Sequence, residues 1–226
     1  MHATHVPWDA RATLAPVRIT KYEHSALLLS KGDDILVIDP GNFLSLTDFL
    51  DVVGVVVTHE HADHWTDDNL TRILKDSPEA RILGPAGVAA AATSFTVETV
   101  AAGDAVEVGP FSLRFFGGRH AVIHSSIPVI DNVGVLVDDE FYYAGDSFAA
   151  PGVPVGTLAV PAGAPWLKLS EAMDYVLEVK PKRAFPVHEM PLSLWGVELS
   201  SARLAWAVEQ GGGQFHRLAP TEALDI

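Results

Sequence analysis

The apolar positions of this chain fall into short extended runs before any helical stripe begins. Val17–Thr20, Ala26–Leu29 and Ile35–Ile38 read as strands, the last two joined by a turn at Lys31-Gly32-Asp33-Asp34. Val52–Val57 is almost all valine, and a strand apolar on both faces is one sandwiched between two layers. Thr66 then suits an N-cap, with Asp67 and Asp68 in a first turn where the helix dipole favours negative charge. Leu70, Ile73 and Leu74 make the apolar stripe of that helix. Strands follow at Arg81–Leu83, Thr96–Val100, Ala105–Val108 and Phe111–Phe116, with a short helix at Val88–Ala92. Gly134–Val137 and Phe141–Ala144 form a hairpin across Asp138-Asp139-Glu140. The last third alternates: a strand at Leu158–Val160, a helix capped by Ser170 that stops before Pro181, and a strand at Ala184–Val187. A final helix spans Glu198 to Gln210 and ends at Gly211-Gly212-Gly213.

That order predicts an α/β (α+β) chain in which two packed sheets carry helices on their outer faces. No linker and no short-period repeat interrupts it, although the two halves, each running from strands into helices, could be related. Residues 1–226 therefore read as one domain, with residues 1–16 as an N-terminal tail in which His2 and His5 are solvated.

Composition alters this picture in few respects. The chain has 226 residues, 48% of them hydrophobic, enough to bury a large core, and only 19% charged, which argues against disorder. A net charge of −14 counts against general nucleic-acid binding, which needs Lys and Arg at phosphates. It leaves an anionic substrate open, because metal ions can reverse the potential locally. Cysteine is absent, so neither a disulfide nor a thiolate metal site is available. The start shows no basic segment leading into an apolar one, and no run is long enough to cross a membrane. The expectation is a cytoplasmic protein acting on a small-molecule substrate, without a nucleic-acid partner or a membrane span.

The chemistry is concentrated in His59-Glu60-His61-Ala62-Asp63-His64, directly after the valine strand. Alternate side chains of an extended segment face the same way, so His59 and His61 can point at one ion. Asp63 and His64 come where the chain turns toward the helix and can reach a second point a few ångströms away. Imidazole and carboxylate suit zinc, manganese or iron.

This run is similar to the signature of the metallo-β-lactamase superfamily. That family places a third His, a bridging Asp and a last His at later strand ends. Here Gly117-Gly118-Arg119-His120, Tyr143-Ala144-Gly145-Asp146-Ser147 and Phe185-Pro186-Val187-His188 stand in that order. The resemblance implies a four-layer αββα sandwich with two divalent metal ions, zinc first, manganese or iron as alternatives. It implies that His59, His61 and His120 hold one ion, that Asp63, His64 and His188 hold the other, and that Asp146 bridges them. His124 is the alternative to His120. His120 is favoured because it follows a strand and paired glycines, which allow close backbone approach; His124 would then face the substrate or support a ligand from behind. Asp39 also matches the family and would orient a ligand His or the motif loop. His24, in Tyr22-Glu23-His24-Ser25, resembles an early His-Ser of the subgroup that includes ascorbate-6-phosphate lactonase; it would support the metal shell or fill the core. Trp166 and Lys168 would line the pocket, with Lys168 able to meet an anionic group.

The implied reaction is hydrolysis of a small ester, lactone or phosphodiester by a hydroxide held between the metals, with Asp63 and Asp146 as the catalytic carboxylates. Asp146 stands where broad-spectrum zinc β-lactamases carry Cys, and His61 where flavodiiron proteins carry Glu. The compact subgroup resembling ascorbate-6-phosphate lactonase and N-acyl-phosphatidylethanolamine phospholipase D is what these departures leave. The alternatives are a nuclease of the same fold and a non-catalytic metal-binding protein.

Overall fold

The computed structural model describes residues 16–45 and 48–226. The expected tail, with His2 and His5, lies outside the described residues apart from Pro16. Two seven-stranded sheets are formed among the described residues. The first draws on β1 (Arg18–Lys21), β2 (Leu27–Lys31), β3 (Asp34–Ile38), β4 (Val52–Val56), β5 (Arg81–Gly84), β6 (Val97–Thr99) and the C-terminal β14 (Ala223–Asp225), in the order β14-β1-β2-β3-β4-β5-β6. The second contains β7 (Ala105–Val108), β8 (Phe111–Arg119), β9 (Asp131–Val137), β10 (Phe141–Tyr143), β11 (Thr157–Pro161), β12 (Arg183–Val187) and β13 (Gln214–Phe215), in the order β13-β12-β11-β10-β9-β8-β7. Each sheet mixes antiparallel pairs with a parallel block, β3 to β6 in one and β10 to β13 in the other.

Three apolar clusters fix the layering. Ile19, Leu27, Leu36 and Val56 of the first sheet meet Phe111, Phe115, Val135 and Phe185 of the second, so the inner faces pack on each other. The outer face of the first sheet, through Val37, Val55 and Ile82, buries Leu70 and Ile73 of α1 (Asp67–Asp76) and Val88 of α2 (Ala86–Ala91). Leu136, Leu158 and Val160 on the outer face of the second bury Val176 of α3 (Leu169–Val179) and Leu204 of α4 (Leu194–Gln210). The result is the αββα sandwich. The valine strand β4 is central because only a strand covered on both faces buries such a sequence.

Several boundaries differ from the sequence pattern. Ser170 does not cap α3. That helix starts at Leu169 behind Lys168, whose carbonyl accepts from the amides of Glu171 and Ala172, and no side chain caps it. The last helix begins at Leu194, four residues earlier than Glu198, with the Ser193 hydroxyl accepting from the Gly196 amide at 3.2 Å. Gly196 and two exposed residues, Leu194 and Trp195, break the amphipathic stripe there and hide the start. Strand β8 continues past Phe116 through Gly117 and Gly118, because β9 begins at Asp131 and pairs with them. Both glycines sit at positive φ, 82° and 132°, so the strand end turns and carries His120 over the sandwich edge. Strands β13 and β14 are too short to show a period and exist as additions to sheet edges.

Candidate metal centre

His59 and His61 to His64 follow β4, His120 follows β8, Asp146 follows β10 and His188 follows β12. These strands end along one edge of the sandwich, and their loops bring seven imidazole and carboxylate side chains together. His59, His61 and His120 form one group whose ligand atoms lie within 4.8 Å of each other. Asp63, His64 and His188 form a second group that also contains His24. Asp146 belongs between them. Its carboxylate lies 3.3 Å from His64 Nε2, 3.4 Å from His120 Nε2 and 3.1 Å from His188 Nε2. His124 is not in either group; it lies exposed, with Nδ1 2.7 Å from the Ser126 hydroxyl.

The backs of the imidazoles decide what their fronts present. His120 Nδ1 donates to the Ala121 carbonyl at 2.6 Å and His188 Nδ1 to the Gly163 carbonyl at 2.7 Å. His64 Nδ1 donates to Asp39 Oδ2 at 2.6 Å. These acceptors offer no proton, so each Nδ1 holds one and Nε2 is the ring atom left facing into the site to meet a cation. Thr58 adds a relay: its amide and hydroxyl donate to the two oxygens of Asp39, at 2.8 and 2.7 Å, and its oxygen accepts from His59 Nδ1 at 3.0 Å. Asp39 is fully buried at φ 50°, a left-handed backbone held by these contacts.

The Nε2 atoms of His64, His120 and His188 and Oδ1 of Asp146 are buried without a hydrogen-bond partner. Lone pairs of imidazole and carboxylate facing each other at 3.1–3.4 Å repel unless positive charge lies between them. Two ligands about 2.1 Å from one tetrahedral ion would themselves be about 3.4 Å apart. The residues therefore fit divalent metal ions. The proton affinities show the same polarity. Burial pulls His64 down, yet the Asp146 and Asp39 carboxylates outweigh it and hold the ring well above its ordinary pKa. Burial likewise opposes His188, which Asp146 and Asp63 nonetheless push up to about 9. Burial raises Asp146, but His64 and His188 overcome it and hold the carboxyl well below its usual range. His59, without a carboxylate at its back, is driven down by burial and by His64.

Trp166 does more than line a wall. Its buried indole N–H donates to Asp146 Oδ2 at 2.8 Å. His24 Nε2 lies 3.1 Å from Asp63 Oδ2, and its ring packs 3.8 Å from that of His188. Burial, more than the hydrogen bond to Asp63 can offset, lowers the His24 pKa to about 4, so the ring is neutral near pH 7. Lys168 lines the cleft beside Trp166, with its side chain 76% exposed and its ammonium 3.0 Å from Glu171. Thr58 and Asn132 escape sequence reading. Asn132 accepts from the Asp146 amide at 2.9 Å and donates to the Ala144 carbonyl, and one amide side chain in a strand carries no pattern that would reveal this.

The motif loop is wedged against Gly41. A Cβ there would stand 1.9 Å from the Asp63 carbonyl oxygen, while Ser25 and Asn42 hydrogen-bond the same turn. Gly41→Ala is expected to displace the loop and cost about 2–3 kcal/mol, as overpacking does. At roughly 2–4 °C per kcal/mol for this chain length, melting should fall by about 5–10 °C in a thermal scan. An unchanged melting temperature would show that the loop yields freely.

Comparison with known proteins follows the same lines. The family described as a β-lactamase superfamily domain matches residues 18–188. Protein Rv0786c of Mycobacterium tuberculosis is 37% identical over 179 residues, 76% of this chain and 84% of that protein. Among solved structures, the metallo hydrolase Igni18 from Ignicoccus hospitalis superposes with a TM-score of 0.72 at 18% identity, covering 94% of this chain and 99% of that one. A putative metal-dependent hydrolase from Parabacteroides distasonis gives 0.72 at 17% identity, covering 89% and 92%.

Proposed function

This chain belongs to the β-lactamase superfamily domain family, and from that premise we propose that it is a binuclear metal-dependent hydrolase of a small ester, lactone or phosphodiester. The observation that carries the proposal is the set of partnerless Nε2 atoms facing the Asp146 carboxylate. His59, His61 and His120 would hold one ion, Asp63, His64 and His188 the other, and Asp146 would touch both. Zinc is the first choice on the donor set, with manganese or iron as alternatives. Held there, two such ions would supply a bound water of near-neutral pKa and polarisation of the substrate's electrophilic oxygen.

The chain's own groups supply the rest. Asp39, Gly163 and Ala121 hold three rings in the tautomer that faces inward. Trp166 keeps Asp146 from rotating. Asp63, whose side chain is 29% exposed, is open enough to pass a proton to solvent, in line with the catalytic role proposed for it and for Asp146. A cleft of about 410 Å³ beside Trp166, lined also by Val122, Ile123, Phe148 and Lys168, is where the departing part of the substrate would lie. A small cleft that meets the proposed metal centre at Trp166 supports a small-molecule substrate. No helix among the described residues is long and apolar enough to cross a membrane. The compact subgroup near ascorbate-6-phosphate lactonase is the proposed neighbourhood of the activity.

The test is metal content of the purified protein, followed by a screen of esters, lactones, amides and phosphodiesters with and without a chelator. Two ions per chain and chelator-sensitive turnover are the expected result. Full loading with no turnover on any bond class would point to a non-catalytic metal-binding protein. Turnover of nucleic acid alone, with salt-dependent binding, would point to a nuclease.

A further inference from the structure

Lys21 occupies an inward position of β1, two residues after the core residue Ile19, where strand alternation calls for an apolar side chain. It is fully buried. Its ammonium forms an ion pair with Glu189 of the second sheet's loops and donates to the Tyr22 carbonyl at 3.1 Å. Neither residue belongs to the metal-ligand set, yet each adjoins it: His24 lies three residues after Lys21, and His188 immediately precedes Glu189. Those two histidines share a conformation costly for residues with a Cβ, at φ 62° and 61°. The His188 amide donates to the His24 carbonyl at 2.8 Å, and their ring centroids lie 3.8 Å apart with the planes tilted by 47°. The ion pair thus ties the end of β1 to the start of the loop after β12 at the point where both backbones are strained.

We propose that Lys21 and Glu189 are positioning residues that hold His24 and His188 in register for the metal position formed by Asp63, His64 and His188. The inference rests on the binuclear reading. The pair acts on one ion only, because His59, His61 and His120 stand on other loops and share none of these contacts. A buried ion pair is weak evidence for stability in itself, since apolar replacements of similar volume are often tolerated. Its placement at two strained metal-site loops gives it another use.

The experiment compares the full-length wild type with Glu189→Gln and with the double variant Lys21→Met/Glu189→Met, each titrated with Co(II). Stoichiometry, affinity of each ion and the cobalt absorption spectrum are read beside the melting temperature. The double variant leaves no unpaired buried charge, so it separates positioning from folding. The expected result is one ion bound as in wild type and the other weakened about 10- to 100-fold in both variants, with an altered cobalt spectrum. Wild-type affinity for both ions in both variants would overturn the proposal. Equal weakening of the two ions would also overturn it, since that marks a general structural role. A wild-type chain that binds fewer than two ions would sink the binuclear reading first, and this inference with it.

Discussion

On the binuclear reading proposed above, Asp146→Ala should reduce metal content from two ions per chain to one or none and lower hydrolysis by at least about 10³-fold, because a water activated by two ions would lose one of them. Among the described residues, Asp146 is the carboxylate that lies against ligands of both groups. The carboxylate touches His64, His120 and His188, whereas Asp63 reaches only the group around His188. Without it, the His64 and His188 rings lose the carboxylate that raises their proton affinity, and the indole N–H of Trp166 loses its acceptor. Elemental analysis after dialysis measures the first effect, and turnover of the best substrate from the screen measures the second. Two ions retained in the variant would refute the site as assigned. Because Asp146 is buried, circular dichroism must accompany both readings.

Asp39→Ala is the second large effect, and its target is stability as much as chemistry. Asp39 accepts from the Thr58 amide, the Thr58 hydroxyl and His64 Nδ1, all in a region closed to water. Removing it strands three buried donors, a loss of the kind that costs about 3–5 kcal/mol. Melting should fall by about 10–15 °C, taking roughly 2–4 °C per kcal/mol. Asp39→Asn is the more telling variant. It keeps the shape but offers one acceptor oxygen and one NH2 where three donors converge, so His64 can no longer be held with its proton on Nδ1. A smaller melting change with metal affinity reduced about 10- to 100-fold is expected. Wild-type affinity in Asp39→Asn would mean that the tautomer of His64 is set by something else.

Much of this was legible along the chain. The valine run from Val52 announced a doubly covered strand, and β4 is central. Thr66 caps α1 as its sequence suggests, accepting from the Asn69 amide. The turns at Gly32 and at Asp138-Asp139 sit at positive φ, where Gly and Asp are the residues to expect. Ser170 and the start of α4 misled for different reasons: α3 starts at Leu169 with no side-chain cap, while Gly196 and the exposed Leu194 and Trp195 hide the apolar stripe at the start of α4.

The candidate site divides the same way. His59, His61, Asp63 and His64 lie within eight residues of the end of β4, so local geometry alone restricts where they can point. Composition supplied the absence of thiolate ligands, and strand ends supplied the order of His120, Asp146 and His188. Asp39 apart, sequence distance hides what lies behind these residues. Lys21 and Glu189 are 168 positions apart, Trp166 meets Asp146 across 20, and His188 is oriented by a backbone carbonyl, which has no residue identity to read. The metal chemistry was therefore written in the sequence, because donor atoms are a property of residue type. Which lone pair faces inward, and which of His120 and His124 enters the cluster, was decided by the packing of two sheets, because only that packing places an acceptor behind each ring.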